Sequence, residues 1–176
     1  NDKKIKSNLY GEYNFENINA SIAMGMHFNL SFEQIKNGIK NYIPKNNRSE
    51  MIRTKNNFIL VDSYNANPTS MKASIQAFLK FRDNKKIIIL GDMHEIGKTS
   101  IIEHGRILNS IKKNKDLKIF LVGNIFNQLK FDSKRIQFFY KTKELIIHLK
   151  KNLIVDYTIL LKGSRKISLE KLIPFL

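Results

Sequence analysis

The sequence has no cysteine, no tryptophan and only three prolines in 176 residues. Without cysteine there is no disulfide scaffold, no zinc–thiolate site and no cysteine nucleophile. No apolar run approaches the roughly 18–20 residues that a membrane-spanning helix needs. The opening NDKKIKSNLYGEYN lacks the apolar stretch of a secretory signal. The expectation is a cytoplasmic protein with no membrane partner. Acidic residues are also scarce, with 15 Asp and Glu against 31 Lys and Arg, a formal net charge of +16. Such an imbalance raises nucleic-acid binding as a hypothesis. The detail argues otherwise: 25 of the basic residues are Lys and only 6 are Arg, and Lys, Asn and Ile together make 71 of the 176 residues. All three have codons made mostly of A and T, so drift in base composition produces the bias without an acidic partner. The lysines are scattered in short clusters such as Lys112-Lys113-Asn114-Lys115, and the arginine forks that read base edges are few. No nucleic-acid partner is expected.

What is present is enough apolar material for a core, 42% of residues, and it is patterned. NFENINASIAMGMHF places Ile18, Ile22, Ala23 and Met26 on one helical face, with Asn14 or Asn17 as candidate caps. SFEQIKNGIKNY predicts a second helix, opened by a capping box of Ser31 and Gln34 and stopped by Pro44. A short extended segment, KKIKSNLYG, precedes them. These elements are too few for an independent core. After the polar joint KNNRSE the pattern becomes strand–helix alternation. MIRTKNNFILVD predicts two strands turning at Asn56-Asn57. PTSMKASIQAFLKF, SIIEHGRILNSIKK, TKELIIHLKKNL and ISLEKLIPFL predict helices. KKIIILGD, LKIFLVG, RIQFFY and YTILLKG predict strands. Continuous apolar strands separated by helices imply an α/β fold, a mostly parallel sheet covered on both faces.

In such a sheet ligands bind beyond the carboxyl ends of the strands. Polar clusters fall at those places: DSYNANP at 62–68, GDMHEIG at 91–97, Gly123-Asn124, and Lys162-Gly163-Ser164-Arg165. One cluster imitates a phosphate loop. In GDMHEIGKT, Gly91 and Gly97 enclose five residues where the G-x-x-x-x-G-K-[ST] pattern has four. A stand-alone nucleotide-binding or phosphotransfer module using Gly97-Lys98-Thr99 is therefore an alternative reading, with Lys98 as a surface lysine against it. His94, Glu103 and His104 form a metal set on paper only, and no metal site is expected in this chain.

Taken together, DSYNANPTSM at 62–71, LGDMHEIG at 90–97, LLKGSR at 160–165, GEYNFENINASIA at 11–23 and NNRSE at 46–50 resemble the Mur ligases, in order and over essentially the whole chain. The resemblance is strongest to the branch that joins D-alanyl-D-alanine to UDP-N-acetylmuramoyl-tripeptide in peptidoglycan precursor synthesis. It implies an ATP-dependent amide ligase that works through an acyl phosphate, with ATP and Mg2+ as cofactors. By the resemblance, Asn14 and Asn17 face the adenine, Arg48 the phosphates, and Asp62 the ribose or phosphate region. Tyr64, Asn65 and Asn67 line an interdomain cleft, with Lys162, Ser164 and Arg165 at its rim. Residues 1–46 would be the tail of the central ATP-binding domain and 47–176 the third, dinucleotide-binding-like domain. The family's phosphate loop, magnesium ligands and modified lysine would lie upstream, on domains this chain needs as partners, so the chain alone is expected to be inactive.

Overall fold

A computed structural model describes residues 4–81 and 85–176. Two helices come first, α1 (Phe15–His27) and α2 (Phe32–Asn41). The Ser31–Gln34 capping box is formed in both directions. Gly25 is the buried residue of α1, and a Cβ there would meet Ile35 Cγ1 at 2.7 Å, so the missing side chain lets α2 pack close. The expected apolar face of α1 is only partly used: Ile18 and Ile22 are half-buried, while Ala23 and Met26 are exposed. The extended segment before α1 forms no strand between Lys4 and Tyr10, and its first residue, Lys3, lies outside the described residues.

The rest is one six-stranded sheet. Its strands are β1 (Glu50–Arg53), β2 (Phe58–Asp62), β3 (Lys86–Gly91), β4 (Leu117–Val122), β5 (Ile136–Phe139) and β6 (Thr158–Lys162), in the order β1-β2-β6-β3-β4-β5. Among the described residues only the β1–β2 hairpin is antiparallel. Helices α3 (Pro68–Leu79), α4 (Ser100–Ile111), α5 (Asn124–Gln128) and α6 (Thr142–Lys151) connect the strands, and the helix expected over ISLEKLIPFL is a 3-10 helix, Leu169–Phe175. Pro174 lies inside that helix, and proline has no N–H with which to continue α-helical bonding.

The strands read as continuous apolar runs because both faces are covered. Leu60, Ile88, Leu90, Ile119, Leu121 and Leu160 pack with Phe78, Ile107 and Phe126 beneath α3, α4 and α5. Their neighbours Ile59, Val61, Ile87, Ile89, Phe120 and Leu161 pack with Leu145, Leu149 and Leu172 beneath α6 and the terminal 3-10 helix. Burying each such side chain contributes about 1.5–3 kcal/mol. The first segment is fastened to this body by Tyr10, whose ring stacks on Phe81 at 4.4 Å and whose hydroxyl donates to the Ala77 carbonyl at 2.5 Å. Burial pushes the Tyr10 phenol up to about 12. Among the described residues no helix is long and apolar enough to cross a membrane.

Candidate functional site

Strands β2 and β6 are parallel neighbours, paired so that Asp62 faces Lys162 at their carboxyl ends. Lys162 is only 3% exposed. Its ammonium lies 3.1 Å from Asp62 Oδ2 and donates to the Asn65 carbonyl at 2.7 Å. This pair floors a cleft of about 650 Å3 that opens between the sheet edge and α1–α2.

One wall is the joint at 46–49. Asn46, Asn47 and Ser49 all have left-handed φ, at 59°, 61° and 51°. Left-handed backbone is unusual for residues with a side chain, and contacts hold it here. Ser49 is buried, and its hydroxyl sits 3.0 Å from the Tyr13 hydroxyl and accepts from Asn14 Nδ2 at 3.3 Å. The Tyr64 N–H donates to the Asn47 carbonyl at 3.2 Å. The result places the Arg48 guanidinium 3.6 Å over the Tyr64 ring. That stack orients the arginine fork while leaving its donors open to the cleft.

The other wall is the start of α1. Asn14 donates to the Tyr10 carbonyl at 2.6 Å as well as to Ser49, and its Oδ1 accepts from Asn17 Nδ2 at 3.0 Å. Asn14 is thereby committed within the chain, whereas Asn17 is exposed. Neither side chain caps a helix through the bond expected of a cap. The Tyr13 phenol is held above its usual range, first by burial and then by the negative charge of Asp62.

The structure thus brings Asn14, Asn17, Arg48, Asp62, Tyr64, Asn65, Asn67 and Lys162 to one cleft. Asn67 has a second duty there, because its side chain caps α3 in a capping box with Ser70. Ser164 and Arg165 are not among the cleft's lining residues. Ser164 is buried and accepts from the His94 N–H at 2.8 Å, and Arg165 is exposed, 3.7 Å from Glu170. Tyr13 and Ser49 line the cleft without having been singled out in the sequence; the GEYN and NNRSE stretches that contain them were the available signal.

The GDM loop acts inside the fold. The Asp92 carboxylate accepts from the N–H groups of Ile125 and Phe126 at 2.9 and 3.0 Å, capping the five-residue α5 that the sequence pattern left unassigned. His104 Nε2 accepts from the Met93 N–H at 2.9 Å. A backbone N–H only donates, so the ring proton is on Nδ1, which donates to the Ser100 carbonyl at 2.7 Å. Both ring nitrogens are used, which removes His104 from the paper metal set with His94 and Glu103. Glu103 itself pairs with Arg106. The 3.7 Å approach of Nε2 to Asp92 is therefore a neutral contact and not an ion pair. Among the described residues no group of three or more His, Cys, Asp or Glu side chains is placed to hold a metal. Gly97–Thr99 forms an exposed single turn of 3-10 helix outside the cleft.

Burial lowers the His104 pKa from its ordinary 6.5, outweighing the raising effects of the Ser100 carbonyl and Asp92. The unfolded chain then binds the extra proton first, so this contribution to stability is complete above pH 6.5 and is lost as pH falls through the lower folded value. His148 is shifted the same way, by burial and then by Lys118. Urea midpoints should therefore fall between about pH 7.5 and about pH 5.5, with a shallower fall in His104→Gln. An unchanged slope in that variant contradicts the assignment.

The family model described as "Mur ligase, glutamate ligase domain" matches residues 47–165. The UDP-N-acetylmuramoyl-tripeptide--D-alanyl-D-alanine ligase of Buchnera aphidicola subsp. Baizongia pistaciae is 32% identical over 94% of this chain and 36% of its own length. The enzyme of the same name from Bacillus subtilis is 31% identical over 94% of this chain and 38% of its own. This chain therefore spans little more than a third of those relatives. A crystal structure of MurF from Acinetobacter baumannii superposes with a TM-score of 0.82 at 27% identity, over 97% of this chain and 39% of that one. MurF ligase from Thermotoga maritima in complex with ADP has the same fold, with a TM-score of 0.78 at 20% identity over 95% of this chain and 38% of that one. The family model covers well over half of the chain, and the chain belongs to the Mur ligase family.

Proposed function

We propose that this chain is part of an ATP-dependent ligase that adds D-alanyl-D-alanine to UDP-N-acetylmuramoyl-tripeptide in the cytoplasm, in peptidoglycan precursor synthesis. Residues 47–176 act as its third domain, and residues 1–46 belong with the ATP-binding domain. The names of the relatives support the reaction. The observation that carries the nucleotide role is Arg48, exposed, stacked on Tyr64 and opening into a cleft whose volume suits a nucleotide. A guanidinium fork held in this way matches phosphate oxygens. Asn17 offers its amide to the base, and Asn14 orients Asn17. Asp62 is neutralised by Lys162, so it sets the floor without repelling phosphates. Bound ATP supplies the phosphoryl group that activates the substrate carboxylate. The described residues hold no ligand set for Mg2+, so no role for the metal is assigned to these side chains. Tyr64, Asn65 and Asn67 border the space where the acceptor meets the nucleotide. Ser164 and Arg165 support that rim through the GDM loop and Glu170.

Titration of the chain with ADP tests this reading. Weak binding is expected, weakened further by about tenfold or more in Arg48→Ala, the scale of one lost charge-assisted hydrogen bond, and unchanged in Lys98→Ala. Binding abolished by Lys98→Ala and indifferent to Arg48→Ala would transfer the nucleotide site to the Gly97-Lys98-Thr99 turn. The chain alone should release no ADP from Mg-ATP with both substrates present; D-alanyl-D-alanine-dependent release would refute that.

A further inference from the structure

The direction of the connections marks a second crevice on the carboxyl edge of the sheet. The chain leaving β4 enters α5, whose Phe126 packs on one face, and the chain leaving the neighbouring β5 enters α6, whose Leu145 and Leu149 pack on the other. Adjacent strands whose continuations part in this way leave a gap between them, the place where ligands sit in open α/β sheets. On the α6 side of that edge lies a pocket of about 450 Å3, bordered by Val122 at the end of β4, the β5–α6 turn and the segment after β6, and it shares no lining residue with the cleft at β2 and β6.

Its chemistry is one-sided. Lys141, Lys143, Lys166 and Lys171 line it, and no acidic side chain does. Among the described residues none of these four ammonium groups has an ion pair or a side-chain hydrogen bond. Other lysines do find partners: Lys36 and Lys80 pair with glutamates, Lys162 with Asp62, and Lys86 with backbone carbonyls. Glu144, on the first turn of α6, is turned to the Tyr140 N–H at 2.8 Å. A lysine-rich surface scatters its cations; four unpaired lysines bordering one crevice, with no acidic side chain among its lining residues, concentrate positive charge there. The Ser168 hydroxyl and the exposed ring of Tyr140 complete the rim.

We infer that this crevice is a second binding site, for a small phosphate-bearing anion carrying at least two negative charges. A free diphosphate and a nucleotide share that chemistry. The site stands independently of the nucleotide role of Arg48.

The test is a calorimetric titration of the full chain with inorganic pyrophosphate, at matched ionic strength against sulfate. Pyrophosphate should bind more tightly than sulfate. With Arg48→Ala as the background throughout, so that the cleft at β2 and β6 does not contribute, Lys141→Gln/Lys166→Gln should weaken it by about tenfold or more, and Lys98→Ala, exposed and outside both pockets, should leave it unchanged. Both lysines are exposed, and circular dichroism of the double variant confirms that the fold is kept. ADP titrated in the Arg48→Ala background separates the two sources. Equal affinities assign the site to the bare diphosphate, and a tighter ADP that loses its advantage in Tyr140→Ala assigns it to a nucleotide. Pyrophosphate binding that is absent, that survives the lysine double variant, or that merely equals sulfate overturns the site.

Discussion

Asp62→Ala should destabilise the chain by about 3–5 kcal/mol, the scale on which removal of one partner of a buried ion pair is felt. The loss comes less from the attraction removed than from what remains. Lys162 is 3% exposed at the end of a central strand, with the Asn65 carbonyl as its remaining acceptor. Lys162→Met should cost less. The Asp62 side chain is 14% exposed, so its carboxylate can still recruit water, and the methionine fits an apolar strand end. Replacing both, as Asp62→Leu/Lys162→Met, should recover much of the loss, because apolar residues of similar volume often substitute for a buried pair. Urea midpoints of the three variants check the order, and equal losses for both single variants would show that burial of the ammonium is not the controlling factor. Asp62→Ala should also bring the Tyr13 phenol closer to its ordinary range, since the Asp62 charge is the second cause holding it up after burial. Ultraviolet titration of the tyrosines reads that shift.

Gly123→Ala is expected to be comparably damaging, at about 4 kcal/mol or more, a size reached only where a named structural conflict exists. Gly123 follows β4 with φ at +134°, backbone that residues with a side chain avoid. A Cβ there would lie 2.2 Å from the Asp92 carboxyl carbon. Asp92 cannot give way cheaply, because it accepts both N–H groups that start α5. Gly97→Ala is the comparison. Gly97 also has a positive φ, 69°, but nothing lies within 4 Å of the added methyl, so its cost is backbone strain alone, about 1–2 kcal/mol. Thermal unfolding of the pair separates the collision from the strain; similar losses would mean that the Asp92 carboxylate moves freely.

Much of the fold was legible because its signals are local. Ile87–Leu90 and Ile119–Val122 are unbroken apolar runs, which follow from burial on both sheet faces. Ser31 with Gln34 is a capping pair visible at three-residue spacing, whereas the Asn67–Ser70 capping box emerged only in the structure. The errors are also physical. α5 spans five residues, too short to show a helical period, and it is held by Asp92 from a distant loop. KIKSNLY looked extended but meets no strand edge, and Tyr10 anchors it through a ring stack and a carbonyl instead.

The candidate cleft divides in the same way. Asp62, Lys162, Tyr64, Asn65 and Asn67 follow parallel strands whose ends share one edge, so alternation and loop chemistry sufficed to group them. Ser164 belonged to the same edge by that logic, but its hydroxyl is spent on the His94 backbone. By itself the sequence determined the layered α/β architecture, the edge on which polar loops gather and the family to which they belong, since periodicity and motif spacing are properties of the chain. Only the tertiary structure decided that Asn14 is committed while Asn17 is exposed, that Arg48 rests on Tyr64, and that four unpaired lysines from the segments after β5 and β6 border one crevice. Each of these depends on which distant atoms compete for the same donor or acceptor, and that competition exists only once the chain has folded.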